Sequence, residues 1–346
     1  MKGLNWFDKF LFFLNSLFAV ALLFSYLLPY IPPQTFAILS VFSLAVPLFI
    51  IINFLFLIYW MLRFKKQVFL PLVVLLIGFN HLTSIYEFSS TEELEREEGT
   101  LKLFSYNVKQ FNQYGWDKQR DIPQKIAAFV SKEDPDIMGF QEYYSGELRI
   151  AENYEHKFLK AKEKNAEFGL AILSKYPIIN TGSLDFPTKS NNNAIYADIV
   201  ALGDTIRVFN VHFQSFSLKP DLGKMEQEHS KRVFLGMGRT FVRQQEQMQL
   251  VLEEVKRSPY RNVILGDFNN TAYSYIYREI RSAGFNDAYK EEGNGFGRSF
   301  DFDYFPLRID YIMPDESFEI LSFETEEVHY SDHFPIMALI KPLKQA

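Results

Sequence analysis

The chain has 346 residues, 48% of them hydrophobic, and that length suggests two or three domains. It has no cysteine, which excludes disulfides and thiolate metal sites and leaves oxygen and imidazole as available ligands. The formal charge is −6, an acidic balance poorly suited to non-specific duplex DNA binding, which draws its affinity from Lys and Arg neutralising phosphates.

Residues 1–88 are almost continuously apolar. Segments at about 10–31, 36–62 and 68–86 are each near the ~20 residues that cross a bilayer as a helix, which predicts three transmembrane helices. Pro32-Pro33 marks the first turn and Arg63-Phe64-Lys65-Lys66 the second; Asn80 and His81 interrupt the third segment. Three long segments do not match a signal peptide, which has one short apolar core. The missing amphipathic period argues against a buried hairpin of a soluble protein. Lys2 and Lys9 flank the start, and the second turn holds three cations while the first holds none. The positive-inside rule therefore places the N-terminus and second turn in the cytoplasm. Three spans then put the remainder on the extracytoplasmic side, as expected of a bacterial inner-membrane protein. The lipid bilayer is the expected partner of these helices, and no protein partner is evident. The run Glu92-Glu93-Leu94-Glu95-Arg96-Glu97-Glu98 predicts an acidic linker over 89–99.

Residues 100–346 alternate short apolar runs with helical spacing. Strands are predicted at 101–106, 137–140, 168–173, 194–201, 206–213, 263–265, 308–313 and 336–340, and helices at 122–130, 241–255 and 273–281. The mixture predicts one layered α/β domain. Residues 217–239 read as a solvated loop and helix, with a lid or membrane-facing surface as the alternative.

The chemistry-bearing residues sit where apolar runs end. Leu265-Gly266-Asp267-Phe268-Asn269 and Ser331-Asp332-His333-Phe334-Pro335 are the most informative strings. They set two Asp, one Asn and one His at loop mouths, a combination suited to holding a hard cation and activating water. Taken singly, such residues are better read as structure: Asn107 as a turn former, Glu142 as a solvated loop residue, Asp267 and Asn269 as Asx-turns, His212 as a hydrogen-bonded core residue. Unrelated turn residues would not reproduce the whole ordered set.

That set is Ser105-Tyr106-Asn107, Gln141-Glu142, Asn210-Val211-His212, Gly266-Asp267-Phe268-Asn269, Arg308-Ile309-Asp310-Tyr311 and Ser331-Asp332-His333. It resembles the endonuclease/exonuclease/phosphatase superfamily over roughly residues 100–341. The resemblance implies a four-layer α/β sandwich with two packed β-sheets, here preceded by the transmembrane region. It implies a hydrolase for phosphate esters of nucleic acids, inositol phosphates or sphingomyelin, with Mg2+ as cofactor and Mn2+ as an alternative. Glu142 is the expected direct metal ligand, with Asn107 supporting it and Asp332 adding a contact or binding through water. His333 is the expected general base, and the resemblance pairs it with Asp310. Asp267 orients the attacking water or shares the base role. Asn269 and Asn210 are expected to donate to phosphate oxygens, and His212, if protonated, to add charge or assist the leaving oxygen. Asn191-Asn192-Asn193 stands where many relatives carry an Arg near the phosphate, which puts that phosphate contact in doubt. The Asn-Val-His-Phe-Gln string leans toward sphingomyelinase and inositol phosphatase branches. A lipid head group is then the expected substrate; an anchored nuclease and a non-catalytic binding module on the same fold are the alternatives.

Overall fold

The computed structural model describes residues 4–88, 97–146, 150, 152, 154–161, 167–187, 190–216 and 227–344. Residues 89–96 of the expected acidic linker and 217–226 of the expected loop and helix at 217–239 lie outside the described residues, and 227–239 are helical.

The N-terminal region is a helical bundle: α1 (Trp6–Ser25), α2 (Ala37–Val41), α3 (Val46–Leu62), α4 (Phe69–Ile77) and α5 (Phe79–Leu82). Helical stretches Trp6–Tyr30 and Ala37–Leu62 are long and apolar enough to cross a membrane. The third expected span is a pass made in two pieces, α4 and α5. Its apolar helix covers Lys66–Ile77, about 18 Å at 1.5 Å per residue against ~30 Å of hydrocarbon, and the helix breaks at Gly78. The chain nevertheless passes along the bundle three times. Asp8 near the start of α1 accepts from Tyr59 Oη (2.7 Å) and Arg63 (3.0 Å) at the end of α3, so these two run antiparallel. Tyr26 after α1 donates to Val74 O near the end of α4 (3.0 Å), so α4 runs back alongside α1. Inside the bundle Trp60 Nε1 donates to Asn15 Oδ1 (3.0 Å) and Asn53 Nδ2 to Phe49 O (2.8 Å), while Asn15 Nδ2 and Asn53 Oδ1 are buried without a partner. The outer faces leave Phe13, Val20, Phe54, Leu55, Leu76 and Ile77 exposed.

The C-terminal region is a sandwich. Its elements are β1 (Tyr86–Glu87), β2 (Leu101–Asn107), α6 (Ile122–Glu133), β3 (Ile137–Tyr144), β4 (His156–Lys160), β5 (Phe168–Ser174), β6 (Ile178–Ser183), β7 (Asn193–Ala201), β8 (Asp204–His212), α7 (Gln227–Arg257), β9 (Arg261–Asp267), α8 (Tyr275–Ser282), α9 (Ala288–Glu292), β10 (Gly295–Phe296), β11 (Asp310–Pro314), β12 (Phe318–Thr325) and β13 (Ile336–Pro342). One sheet has the order β12-β13-β2-β3-β5-β4 and the other β11-β9-β8-β7-β6. Between them lies a largely apolar layer, with Leu103, Ile137 and Ile172 from the first sheet against Ile195, Val208 and Leu265 from the second. Alternate residues face outward. Phe104 and Met138 pack under Ile126 and Phe129 of α6, while Phe209 and Ile264 pack under Met248 and Val251 of α7 and Ile276 of α8. The result is the expected four layers.

Bundle and sandwich share contacts. β1 pairs antiparallel with β10, Thr271 Oγ1 donates to Ser43 O at 3.3 Å, and Tyr273 Oη donates to His81 O at 3.1 Å. Phe234 of α7 meets Phe42 edge-on, so the start of α7 faces the bundle.

Candidate active site

Two parallel strand pairs, β2 with β3 and β8 with β9, bring their C-terminal ends to one end of the sandwich. Asn107 lies opposite Gln141, and His212 opposite Asp267. The antiparallel neighbour β11 begins there, with Asp310 opposite Asp267. His333 sits just before β13, which runs antiparallel to β2. Backbone pairing within each sheet, and the packing of one sheet on the other, therefore gather residues spread over more than two hundred positions. A register shift between Phe140 and Tyr143, with Glu142 in left-handed conformation (φ 52), forms a bulge that re-aims the Glu142 side chain.

Asp267 is the hub. Its Oδ2 accepts from Asn107 Nδ2 (3.0 Å) and lies 3.5 Å from His212 Nε2 and 3.7 Å from His333 Nε2. Its Oδ1 accepts from the Asn269 backbone N–H at 2.8 Å, the Asx-turn expected of this string. His333 Nδ1 lies 2.9 Å from Asp310 Oδ2. Asp310 in turn accepts from Ser299 Oγ (2.7 Å), and that hydroxyl accepts the Asp310 backbone N–H. Burial pushes the Asp267 carboxyl up to about 7, with Asp310 adding to the rise and His333 opposing it. Burial works against a charged His333 ring, but the carboxylates of Asp310, Asp267 and Asp332 outweigh it and hold its pKa at about 10. Burial, then His333, holds His212 at about 3. His212 is therefore neutral at pH 7.

At the mouth, Lys109 Nζ bonds Asp332 Oδ2 at 2.6 Å and sits 4.4 Å over the Trp116 ring. The Gln110 amide donates to Glu142. Both side chains hang from four successive residues in left-handed conformation, Lys109, Gln110, Phe111 and Asn112, a costly arrangement for side chains with a Cβ. Burial raises the Glu142 carboxyl. Burial also works against the Asp332 carboxylate, but His333 and Lys109 overcome that and hold its pKa below the usual value.

The structure brings Glu142, Asn107, Asp267, Asn269, Asp310, Asp332, His333 and His212 to one end. Asn210 is the correction. It is fully buried, its Nδ2 donates to Phe140 O and Ala171 O (both 2.9 Å), and its Oδ1 accepts from Gln141 (2.7 Å). Its amide clips the two sheets together and has no hydrogen left for a phosphate. Asn269 donates one N–H to Phe213 O (3.0 Å), which leaves its second N–H. Asn192 of the triple-Asn stretch donates to the same carbonyl at 2.9 Å. Sequence reasoning missed Lys109, Gln110 and Ser299. Lys109 was findable as a cation two residues beyond Asn107; Ser299 carries no local signal.

The donor set fits a hard divalent cation. Asp267, Asp310 and His333 offer atoms within 4.8 Å of one another, and Asp310 Oδ1 is buried with no hydrogen-bond donor. Glu142 and Asp332 add two carboxylates, against cations at Lys109 and His333, so the site carries a negative surplus. The 2.9 Å bond between His333 and Asp310 occupies one oxygen of Asp310 and leaves Asp310 Oδ1 free of donors.

A family model described as the endonuclease/exonuclease/phosphatase family matches residues 104–333. The chain belongs to that family. Enzymes of this family hydrolyse phosphoesters and generally use a divalent metal. Residues 8–85 match a domain of unknown function, DUF8431. Solved members of the endonuclease/exonuclease/phosphatase family share the fold. A protein from Beutenbergia cavernae DSM 12333 is 16% identical, with 71% of this chain and 72% of that one covered and a TM-score of 0.56. One from Bacteroides vulgatus is 19% identical over 70% of this chain and 99% of its own, with a TM-score of 0.55. D. rerio TDP2 complexed with single strand DNA product is 14% identical over 70% and 100%, with a TM-score of 0.53. No curated protein matches the chain.

Proposed function

We propose that this chain is a membrane-anchored, Mg2+-dependent phosphoester hydrolase, with Mn2+ as the alternative ion. The observation that carries the reading is the array Asp310–His333–Asp267 beside the carboxylates of Glu142 and Asp332. Glu142 holds the ion, supported by the Asn107 amide oxygen and by Asp332. A bound divalent cation supplies Lewis-acid screening of the phosphate charge.

The rest is done by the chain's own groups. Asp310 fixes the His333 tautomer through Nδ1 and leaves Nε2 toward Asp267. With the His333 ring charged at pH 7 beside it, the Asp267 carboxylate takes the proton of the attacking water as the new phosphorus–oxygen bond forms; the bond to the ester oxygen breaks, and that oxygen leaves with a proton taken up from water. Neutral His212 and Asn107 hold Asp267 in place. The free N–H of Asn269 and the Lys109 ammonium face the phosphate oxygens, where charge develops.

The anchor is the N-terminal bundle, whose two long helices carry apolar side chains on their outer faces. Lys2, Lys9 and the 63–66 turn lie on the cytoplasmic side, and the catalytic domain lies on the other side of an inner membrane. A nucleic-acid substrate is the second reading, favoured by the likeness to the DNA-bound TDP2.

The experiment is hydrolysis by detergent-solubilised protein of sphingomyelin, phosphatidylinositol phosphates, inositol phosphates, a soluble bis-aryl phosphate, and single- and double-stranded DNA. It is run with Mg2+ or with EDTA, beside His333→Ala. Cleavage that needs the ion and falls about 10²- to 10⁴-fold in the variant is expected. A folded protein that cleaves nothing on the panel would sink the reading.

A further inference from the structure

Phe300-Asp301-Phe302-Asp303-Tyr304-Phe305-Pro306 is an aromatic run that the catalytic reading does not use. Its inner end forms a wall of the site. The Phe300 ring lies 5.0 Å from the His333 ring, edge to face, and the Asp301 backbone N–H donates to Asp332 O at 2.8 Å. Its middle turns outward. Tyr304 is 75% exposed, and the Phe302 ring packs against Tyr304 (5.2 Å) and Phe305 (4.9 Å). Its outer end rests on the bundle. Pro306 and Leu307 line one small cavity with Pro47, Ile85, Tyr273 and Gly297, and the Gly297 N–H donates to Ile85 O at 2.8 Å.

Pro47 stands in the first turn of α3. The aromatic run therefore springs from the level at which that apolar helix begins and ends on the catalytic histidine. Phe and Tyr rings suit the zone between head groups and hydrocarbon, where an apolar body and a polar tip are both accommodated. Asp301 and Asp303 keep the loop at head-group depth, and Arg298 pairs with Asp301 at 2.6 Å.

We infer that residues 300–306 form a membrane-seated lip, and that the catalytic mouth takes its phosphate ester from a bilayer lipid. The inference rests on the hydrolase reading above. Tyr304 is exposed beside the half-buried Phe302 and Phe305, and the run ends at Pro306 against Pro47 of the apolar helix α3, so the occupant of the lip is the bilayer itself. A lipid phosphate held at head-group level reaches His333 along the Phe300 wall, without leaving the membrane.

The test uses full-length protein in vesicles, with a triple variant Phe302→Ser, Tyr304→Ser, Phe305→Ser that leaves Phe300 and every catalytic group in place. Turnover of the vesicle lipid should fall about tenfold or more, because interfacial binding scales with buried apolar area, while turnover of a soluble bis-aryl phosphate stays within about twofold. Equal loss on both substrates, or no loss on the lipid, overturns the lip. Wild-type protein that cleaves the soluble ester but no lipid overturns it too, and leaves the hydrolase reading standing. A second measurement is independent of activity. The chain has no cysteine, so Tyr304→Cys accepts a single fluorophore, with Ile179→Cys (57% exposed on β6) as reference. Brominated lipids should quench the label at 304 and spare that at 179. Equal quenching overturns the inference even if no substrate is found.

Discussion

Asn210 and Lys109 exchange the roles that their residue types suggest. An Asn two positions before a His at a strand end reads as a phosphate donor, yet Asn210 spends both amide hydrogens on carbonyls of β3 and β5. Asn210→Leu should therefore lower folding stability by roughly 2–4 kcal/mol, since two buried carbonyls and the Gln141 amide lose their partner. KM should stay put; thermal melts beside steady-state kinetics separate the two, and a raised KM with unchanged stability would return Asn210 to the substrate site. Lys109 reads as an ordinary surface cation, yet it holds Asp332 at 2.6 Å beside the mouth. Lys109→Met should raise KM for an anionic ester about tenfold, the scale of one lost charge-assisted hydrogen bond. It should also lower the Mg2+ concentration needed for half-activity, because Asp332 is freed. A Mg2+ titration at several substrate concentrations reads both, and an unchanged KM would remove Lys109 from substrate binding.

Among elements, the parallel contact of β8 and β9 does most to build the site, because it sets His212 opposite Asp267. It depends on Gly266, whose φ of 134 is one that residues with a Cβ rarely adopt, and where a Cβ would meet Val211 O at 2.0 Å. Gly266→Ala should cost several kcal/mol and push the two catalytic strands apart; a drop in melting temperature with parallel loss of activity is expected. A variant that melts like wild type would show that the strands have room to adjust. Edge elements escaped sequence reading for a physical reason. β6 is half-exposed along its length, so nothing forces an alternating apolar pattern, and β12 alternates only irregularly. The left-handed run 109–112 escaped it as well, since Lys, Gln, Phe and Asn do not signal that conformation.

At the scale of the molecule, three passes of chain along the bundle return residue 86 to the end where α1 finishes and α3 begins, and there the sandwich docks through β1 and β10. The end bearing Arg63, Lys65 and Lys66 is the opposite one. That arrangement makes topology directly measurable in a chain without native cysteine. A membrane-impermeant maleimide applied to intact spheroplasts should label Ile179→Cys, and should label Lys65→Cys only after permeabilisation. The reverse pattern would put the catalytic domain in the cytoplasm.

The order of polar strings and the strand–helix rhythm were enough by themselves for the family and the layered α/β sandwich, and they named residues that the fold brings to one end. These features are local: an apolar run ending in Asp, Asn or His carries its meaning within a few residues. Tertiary structure alone decided which polar groups remain free. Asn210 and His212 sit two positions apart on one strand, and only the second sheet behind Asn210 turns it into a clip. Ser299 reaches Asp310, and Lys109 reaches Asp332, through folding that no short stretch of chain encodes. The third apolar segment was long enough in composition, but its helix stops at Ile77, and at Gly78 the Tyr26 ring approaches across the bundle so closely that a Cβ would not fit.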